Sequence, residues 1–185
     1  MFKSPQEARD LMKIRFENNE PDAIYFYAIT YQTELKVLDN ELILNLWTKA
    51  YEAGHARAAI DLGDYHRSEH WKNRNTDEDQ EIEIIPDITQ SYYKTGYERS
   101  LKKALEGDNI AMRDISQCYQ NGWGVEADEE QTIIWLEKAF KAGNNAAALD
   151  LYDIYRWSDL EKSKPYYDWL KANNIPCAPF GKYEF

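Results

Sequence analysis

The sequence predicts an all-α fold, a stack of about four helical hairpins. Two observations carry that prediction. An alanine followed by residues that can pack four, five and eight positions later recurs at Ala23/Tyr27/Ala28/Tyr31, Ala58/Leu62/Gly63/His66, Ala111/Ile115/Ser116/Tyr119 and Ala147/Leu151/Tyr152/Tyr155. Those offsets share one side of a helix. The four alanines are also 35, 53 and 36 residues apart. A unit of about 35 residues is one helix–turn–helix, and neither helix can bury its apolar stripe without stacked neighbours.

The elements follow in order. Ser4-Pro5, with Glu7 at the capping-box offset, opens a helix to about Glu17 that closes the N-terminal end of the stack. The first unit, about 21–54, pairs helix 21–33 with helix 39–53, whose apolar side is Leu42, Leu46, Trp47 and Ala50; Gly54 ends it. The second, 55–107, opens with helix 55–67. Residues 68–88 then read as a long acidic loop, polar and without helical period, which accounts for the wide middle step. Its second helix runs from about Asp87 to Gly107.

The third unit, 109–144, has the clearest pattern. Asn121-Gly122 and Gly124 break the chain, Val125 is a small apolar plug, and Asp128 caps a second helix bearing Ile133, Ile134, Leu136, Ala139 and Phe140. Gly143 and Asn144 stop it. The last unit, 145–174, pairs 145–157 with about 159–173, and the tail 175–185 is expected to fold back over the open end. All of 1–185 is expected to be one domain.

Residues Ala111, Ser116, Tyr119, Gly122, Gly124, Val125, Asp128, Trp135, Lys138, Ala139 and Gly143 are spaced as in the Sel-like repeat (SLR) family, relatives of the tetratricopeptide solenoids, which this unit resembles. Ile115-Ser116 and Thr132-Ile133 depart from the family's usual Leu-Gly and Lys-Ala; both keep the helical packing. The resemblance implies a right-handed α/α solenoid that binds proteins, and it brings no catalytic residue with it. Small bacterial members include cytoplasmic immunity proteins that neutralise toxins.

The 33 acidic and 22 basic residues leave a net charge of −11. Such a chain is not expected to bind nucleic acid or anionic membrane, and it favours a basic protein partner. No segment reads as a signal peptide or a membrane span. Cys118 and Cys177 suggest no disulfide framework, so a cytoplasmic protein with reduced thiols is expected.

His66, Glu69 and His70 spell H-x-x-E-H, a zinc-hydrolase spacing. His66, however, falls in the column of Tyr31, Tyr119 and Tyr155, and Glu69 and His70 are expected beyond the helix end. A structural role is therefore the reading adopted, with no metal, no cofactor and no enzymatic activity expected. Gly122 and Gly124 lack the Lys-Ser/Thr of a phosphate loop and read as a turn. His55, next to Gly54, is expected to be solvent-exposed at a helix start.

If offsets 0, +4, +5 and +8 face the core, then +3, +6 and +10 face a concave side, the usual binding surface of a solenoid. Those positions hold Phe26, Asp61, Asp114 and Asp150; Ile29, Asp64, Gln117 and Asp153; and Thr33, Ser68, Asn121 and Trp157. Asp61, Asp64, Asp114, Gln117, Asp150, Asp153 and Trp157 are the expected partner-binding residues. Trp71, Asp77, Glu78, Asp79 and Glu81 of the acidic loop form a second candidate surface. The leading expectation is an immunity protein that holds a basic effector toxin; the alternatives are a regulatory scaffold and, more remotely, a zinc hydrolase at 66–70.

Overall fold

A computed structural model of the chain describes residues 13–33, 40–72 and 86–180, the side chains of 31–33, 40, 71 and 72 apart. Every regular element among them is a helix. The described part of α1 is 13–17. It is followed by α2 (Pro21–Thr33), α3 (Asn40–Glu52), α4 (Ala56–Lys72), α5 (Asp87–Leu105), α6 (Asn109–Asn121), α7 (Glu129–Lys141), α8 (Asn145–Ser158) and α9 (Leu160–Ala172). The helices fall into two compact units, Met1–Arg99 and Ser100–Phe185, so the division lies inside α5.

Every second helix of a hairpin, and α1 before them, ends in the same way. A residue with positive φ follows the last turn: Asn19, Gly54, Gly107, Gly143 and Asn174. Its N–H bonds the carbonyl three residues back, and the next N–H bonds the carbonyl five back, as in Gly54 to Tyr51 and His55 to Ala50, or Gly143 to Phe140 and Asn144 to Ala139. That is the Schellman closure, which satisfies carbonyls the helix leaves unpaired. Its recurrence fixes the frame of the repeat from the backbone alone.

First helices are capped from the position three before the alanine. Asp108 accepts from Ile110 and Ala111 N–H, and Asn144 from Ala146 and Ala147 N–H. At the same position in α4 stands His55, whose Nδ1 accepts from the N–H of Ala58 at 3.1 Å. Its ring stacks on Tyr25, centroids 4.1 Å apart, and its Nε2 lies 3.6 Å from Asp22. The expected solvent-exposed histidine is instead a cap and a packing element, because an imidazole nitrogen can do the work of a carboxylate oxygen here.

The four reference alanines, Ala23, Ala58, Ala111 and Ala147, are all buried. In the first unit Ile24, Ala28, Leu46, Ala50 and Ala58 form one cluster, and in the second Leu136, Ala139, Ala147 and Leu151 form another. The stripe of α7 is rotated slightly from the expected one. Thr132, Trp135, Leu136 and Ala139 are buried, while Ile133 and Ile134 are half-buried. Thr132 fits because its hydroxyl donates to Asp128 O, and Lys138 sits 4.0 Å above the Trp135 ring.

One boundary differs from expectation. Helix α4 continues past residue 67 to Lys72, carrying Glu69 and His70 within it. Nothing in Arg67–Lys72 breaks a helix, and the Ser68 hydroxyl donates back to Tyr65 O. The acidic stretch 73–85 and the N-terminal residues 4–12 lie outside the described residues. At the other end, residues 175–180 pack on α8 and α9: the Tyr152 hydroxyl donates to Ala178 O and Pro179 O, and Phe180 meets the Tyr167 ring at 5.2 Å.

Candidate functional site

The +3 and +6 positions line two clefts, one in each unit. In Met1–Arg99 a cleft of about 420 Å³ is lined by Ile29, Trp47, Arg57, Asp61, Asp64, Tyr65 and Ser68, with Tyr25 beside them. In Ser100–Phe185 a cleft of about 320 Å³ is lined by Ser116, Gln117, Gln120, Leu136, Asp150, Asp153 and Ile154. The linings correspond by position. Asp61 and Asp150 are at +3, Asp64 and Asp153 at +6, Tyr65 and Ile154 at +7. Trp47 and Leu136 each stand three residues before an equivalent alanine, Ala50 and Ala139. The structure thus brings Ile29, Asp61, Asp64 and Ser68 together in one cleft and Gln117, Asp150 and Asp153 in the other.

The +3 aspartates tie successive first helices together. Asp61 accepts from the Tyr25 hydroxyl at 2.7 Å and from Arg57 Nε at 3.1 Å. Asp150 accepts from Arg113 through both oxygens, at 2.6 and 3.2 Å. Tyr25 and Arg113 are both at +2 of the preceding unit, so one geometry serves both clefts with two different donors. The +6 aspartates pair with arginines at +9 of the same helix: Arg67 on Asp64 at 3.2 Å and Arg156 on Asp153 at 3.1 Å.

These arginines were not part of the sequence expectation, and they change its electrostatics. Asp61, Asp64, Asp150 and Asp153 each have a guanidinium within ion-pair distance, so the local charge of each cleft is far lower than a count of aspartates suggests. The signal was present: D-x-x-R recurs at +6/+9 in both helices and lies at helical ion-pair spacing. Asp114 is half-buried, and Asn121 is exposed with its amide donating to Gln117 O. Trp157 is 64% exposed with Arg156 4.7 Å above its ring, and Phe26 is exposed too. Trp71 closes α4 with its side chain undescribed; Asp77, Glu78, Asp79 and Glu81 lie outside the described residues. Thr33 is in α2, its side chain undescribed.

Asp61 is the deepest of the four arginine-paired aspartates, its side chain 12% exposed. Burial raises its pKa above 3.8, outweighing the lowering by Arg57 and by the Tyr25 hydrogen bond. The folded carboxyl therefore loses its proton at a higher pH than the unfolded one, and ionisation at neutral pH costs stability. Asp61→Asn keeps an acceptor for Tyr25 and removes the buried charge. The variant is expected to gain on the wild type as pH rises through the folded pKa, and the two are expected to converge towards pH 3.8 and below. Paired thermal melts across pH check this; a gap that widens on acidification contradicts it.

The H-x-x-E-H residues lie on α4, and His66 is half-buried against Tyr92, rings nearly parallel at 5.4 Å, with Tyr65 edge-on at 5.5 Å. Among the described residues no three His, Cys, Asp or Glu side chains are grouped to hold a metal. Gly122 and Gly124 both have positive φ in the α6–α7 turn, and Gly122 closes α6 through Cys118 O. Neither Cys118 nor Cys177 is in a disulfide. Among the described residues no helix is long and apolar enough to cross a membrane.

Residues 109–144 match the family model of the Sel1 repeat. Among solved structures the chain is similar to a protective antigen present in uropathogenic Escherichia coli strains and displaying an SLR fold, at 23% identity over 94% of this chain and 35% of that chain, TM-score 0.53. It is also similar to a Sel1 repeat protein from Oxalobacter formigenes, at 21% identity over 92% of this chain and 66% of that chain, TM-score 0.49. The chain spans about a third of the length of the first. No curated protein matches it.

Proposed function

Because the chain carries a Sel1 repeat among helical hairpins of the SLR fold, a scaffold that generally mediates contact between proteins, we propose that it binds a protein through the +3, +6 and +10 face of its first helices. The observation that carries this reading is the pair of position-equivalent clefts, each lined by +3 and +6 side chains. Packing alone does not require an open cleft of similar make at the same place in two hairpins. Exposed Phe26 and Trp157 add apolar anchors at the ends of that set, the kind of side chain that dominates interface energies.

The partner we propose is basic. With a net charge of −11 the chain attracts cations at long range even where local pairs are balanced. A basic effector toxin, held in the cytoplasm by an immunity protein, is the finer form of this reading. It rests on charge and on analogy with a repeat family that includes such proteins.

The structure changes how the proposal is best tested. Lysine at Asp61 or Asp150 would break the contact with Tyr25 or Arg113 that joins successive first helices, so charge reversal is placed at the +6 positions. The chain is co-expressed with the product of each neighbouring gene. A stoichiometric complex with a basic protein is expected, weakened at least about tenfold by Asp64→Lys, Asp153→Lys and Trp157→Ala together while circular dichroism stays helical. Rescue of growth from that protein's toxicity would establish the immunity form. Unchanged affinity in the triple variant would remove this face from the account.

A further inference from the structure

The aspartates of the two clefts have two different jobs, a division that rests on the protein-binding reading. At +3 both carboxylate oxygens are engaged. Asp61 takes Arg57 on Oδ1 and Tyr25 on Oδ2, and Asp150 takes Arg113 on each. At +6 no more than one oxygen is. Asp64 receives the Tyr93 hydroxyl at 2.6 Å and Arg67 at 3.2 Å, both on Oδ1. Asp153 has Arg156 Nε 3.1 Å from its Oδ1, an ion pair without a hydrogen bond. Neither Oδ2 has a partner among the described residues, and both residues line a cleft. Their side chains are 36% and 51% exposed.

We infer that Asp64 and Asp153 are the recognition residues of the two clefts, each offering its Oδ2 to the guanidinium of an arginine from the partner polypeptide, while Asp61 and Asp150 are clamps between helices. Three observations converge on arginine. Each cleft has apolar or aromatic side chains beside its +6 aspartate in the lining, Trp47 and Tyr65 in one, Leu136 and Ile154 in the other. A guanidinium donates in its plane while its flat face and aliphatic stem cover such a wall, which a compact, strongly hydrated ammonium does less well. The chain's own Arg67 uses the same chemistry beside Asp64: it donates to Oδ1 and lies 6.0 Å from the Tyr93 ring. The clefts, at about 420 and 320 Å³, are at the small end of ligand sites and suit one side chain each rather than a folded element. Tyr93 and Arg67 hold the Asp64 carboxylate through its other oxygen, so little ordering remains to be done on binding there.

The test uses the full chain, isotopically labelled, titrated with N-acetyl-arginine amide and, as a neutral isostere, N-acetyl-citrulline amide. Saturable backbone shifts are expected around 64–65 and 153–154 with arginine, at millimolar concentration, and at least about tenfold weaker with citrulline. Asp64→Asn is expected to abolish the response of the first cleft and leave the second, and Asp153→Asn the reverse. Shifts that ignore the +6 substitutions, or equal responses to both probes, would overturn the assignment. A partner protein that binds the wild-type chain and the Asp64→Asn/Asp153→Asn variant equally would overturn it too, while leaving the protein-binding reading intact. That reading fails separately, on the triple variant above.

Discussion

Gly63→Val is expected to lower stability by about 3 kcal/mol, read as a drop in the urea midpoint of unfolding. A Cβ at Gly63 would lie 2.6 Å from two ring carbons of Tyr93. That ring is buried and cannot swing away cheaply, because its hydroxyl is bonded to Asp64. Gly96 has the mirror problem, its Cβ meeting Ile60 Cγ1 at 2.6 Å and Ala56 O at 3.3 Å. Two glycines thus let α4 and the Met1–Arg99 part of α5 approach closely. The sign separates packing from propensity. In an open helix Gly→Ala gains up to about 1 kcal/mol, whereas Gly63→Ala is expected to lose stability. A stabilised Gly63→Ala would show that α4 and α5 are not in this contact.

Tyr152→Ala is expected to cost about 3–5 kcal/mol in the second unit. Tyr152 is fully buried, and its ring packs with Leu170, Tyr167 and the tail residues Ile175 and Phe180. Its hydroxyl supplies the donor for two tail carbonyls, Ala178 O and Pro179 O. Tyr152→Phe keeps the ring and removes that donor, so a loss of about 1 kcal/mol is expected, accompanied by faster amide exchange in 175–180. If the two variants lose equally, the ring is not the anchor that the packing indicates. If neither alters exchange in 175–180, the tail is not held by Tyr152.

How much of this was legible in the sequence depends on which interaction set each feature. The helices were legible because their stripes come from apolar side chains at fixed offsets, and Ala23, Ala58, Ala111 and Ala147 are buried alike. Helix ends were legible where glycine marked them. Asn19 and Asn174, which close α1 and α9 with the same backbone geometry, were not, because asparagine is as common in a cap or a loop. The end of α4 was misplaced because polarity was taken for disorder, although R-S-E-H-W-K can remain helical.

The clefts were legible as positions and not as chemistry. Offsets +3 and +6 located Asp61, Asp64, Asp150 and Asp153. Whether each carboxylate is spent depends on partners 36 or 37 residues away, Tyr25 on Asp61 and Arg113 on Asp150. No local pattern signals a pairing that exists only once two helices are stacked. His55 was misjudged for a related reason: a histidine cap is recognised by the direction of its ring nitrogen, which the sequence does not contain.

The central claim is that first helices carry the binding face and second helices carry the stack. Chemical-shift mapping of the chain against its purified protein partner tests it most directly. Perturbations are expected to concentrate at 61–68, 114–121 and 150–157, with Asp64, Gln117, Asp153 and Trp157 among the most affected. Perturbations confined to α3, α7 and α9, with those first-helix positions unmoved, would contradict it.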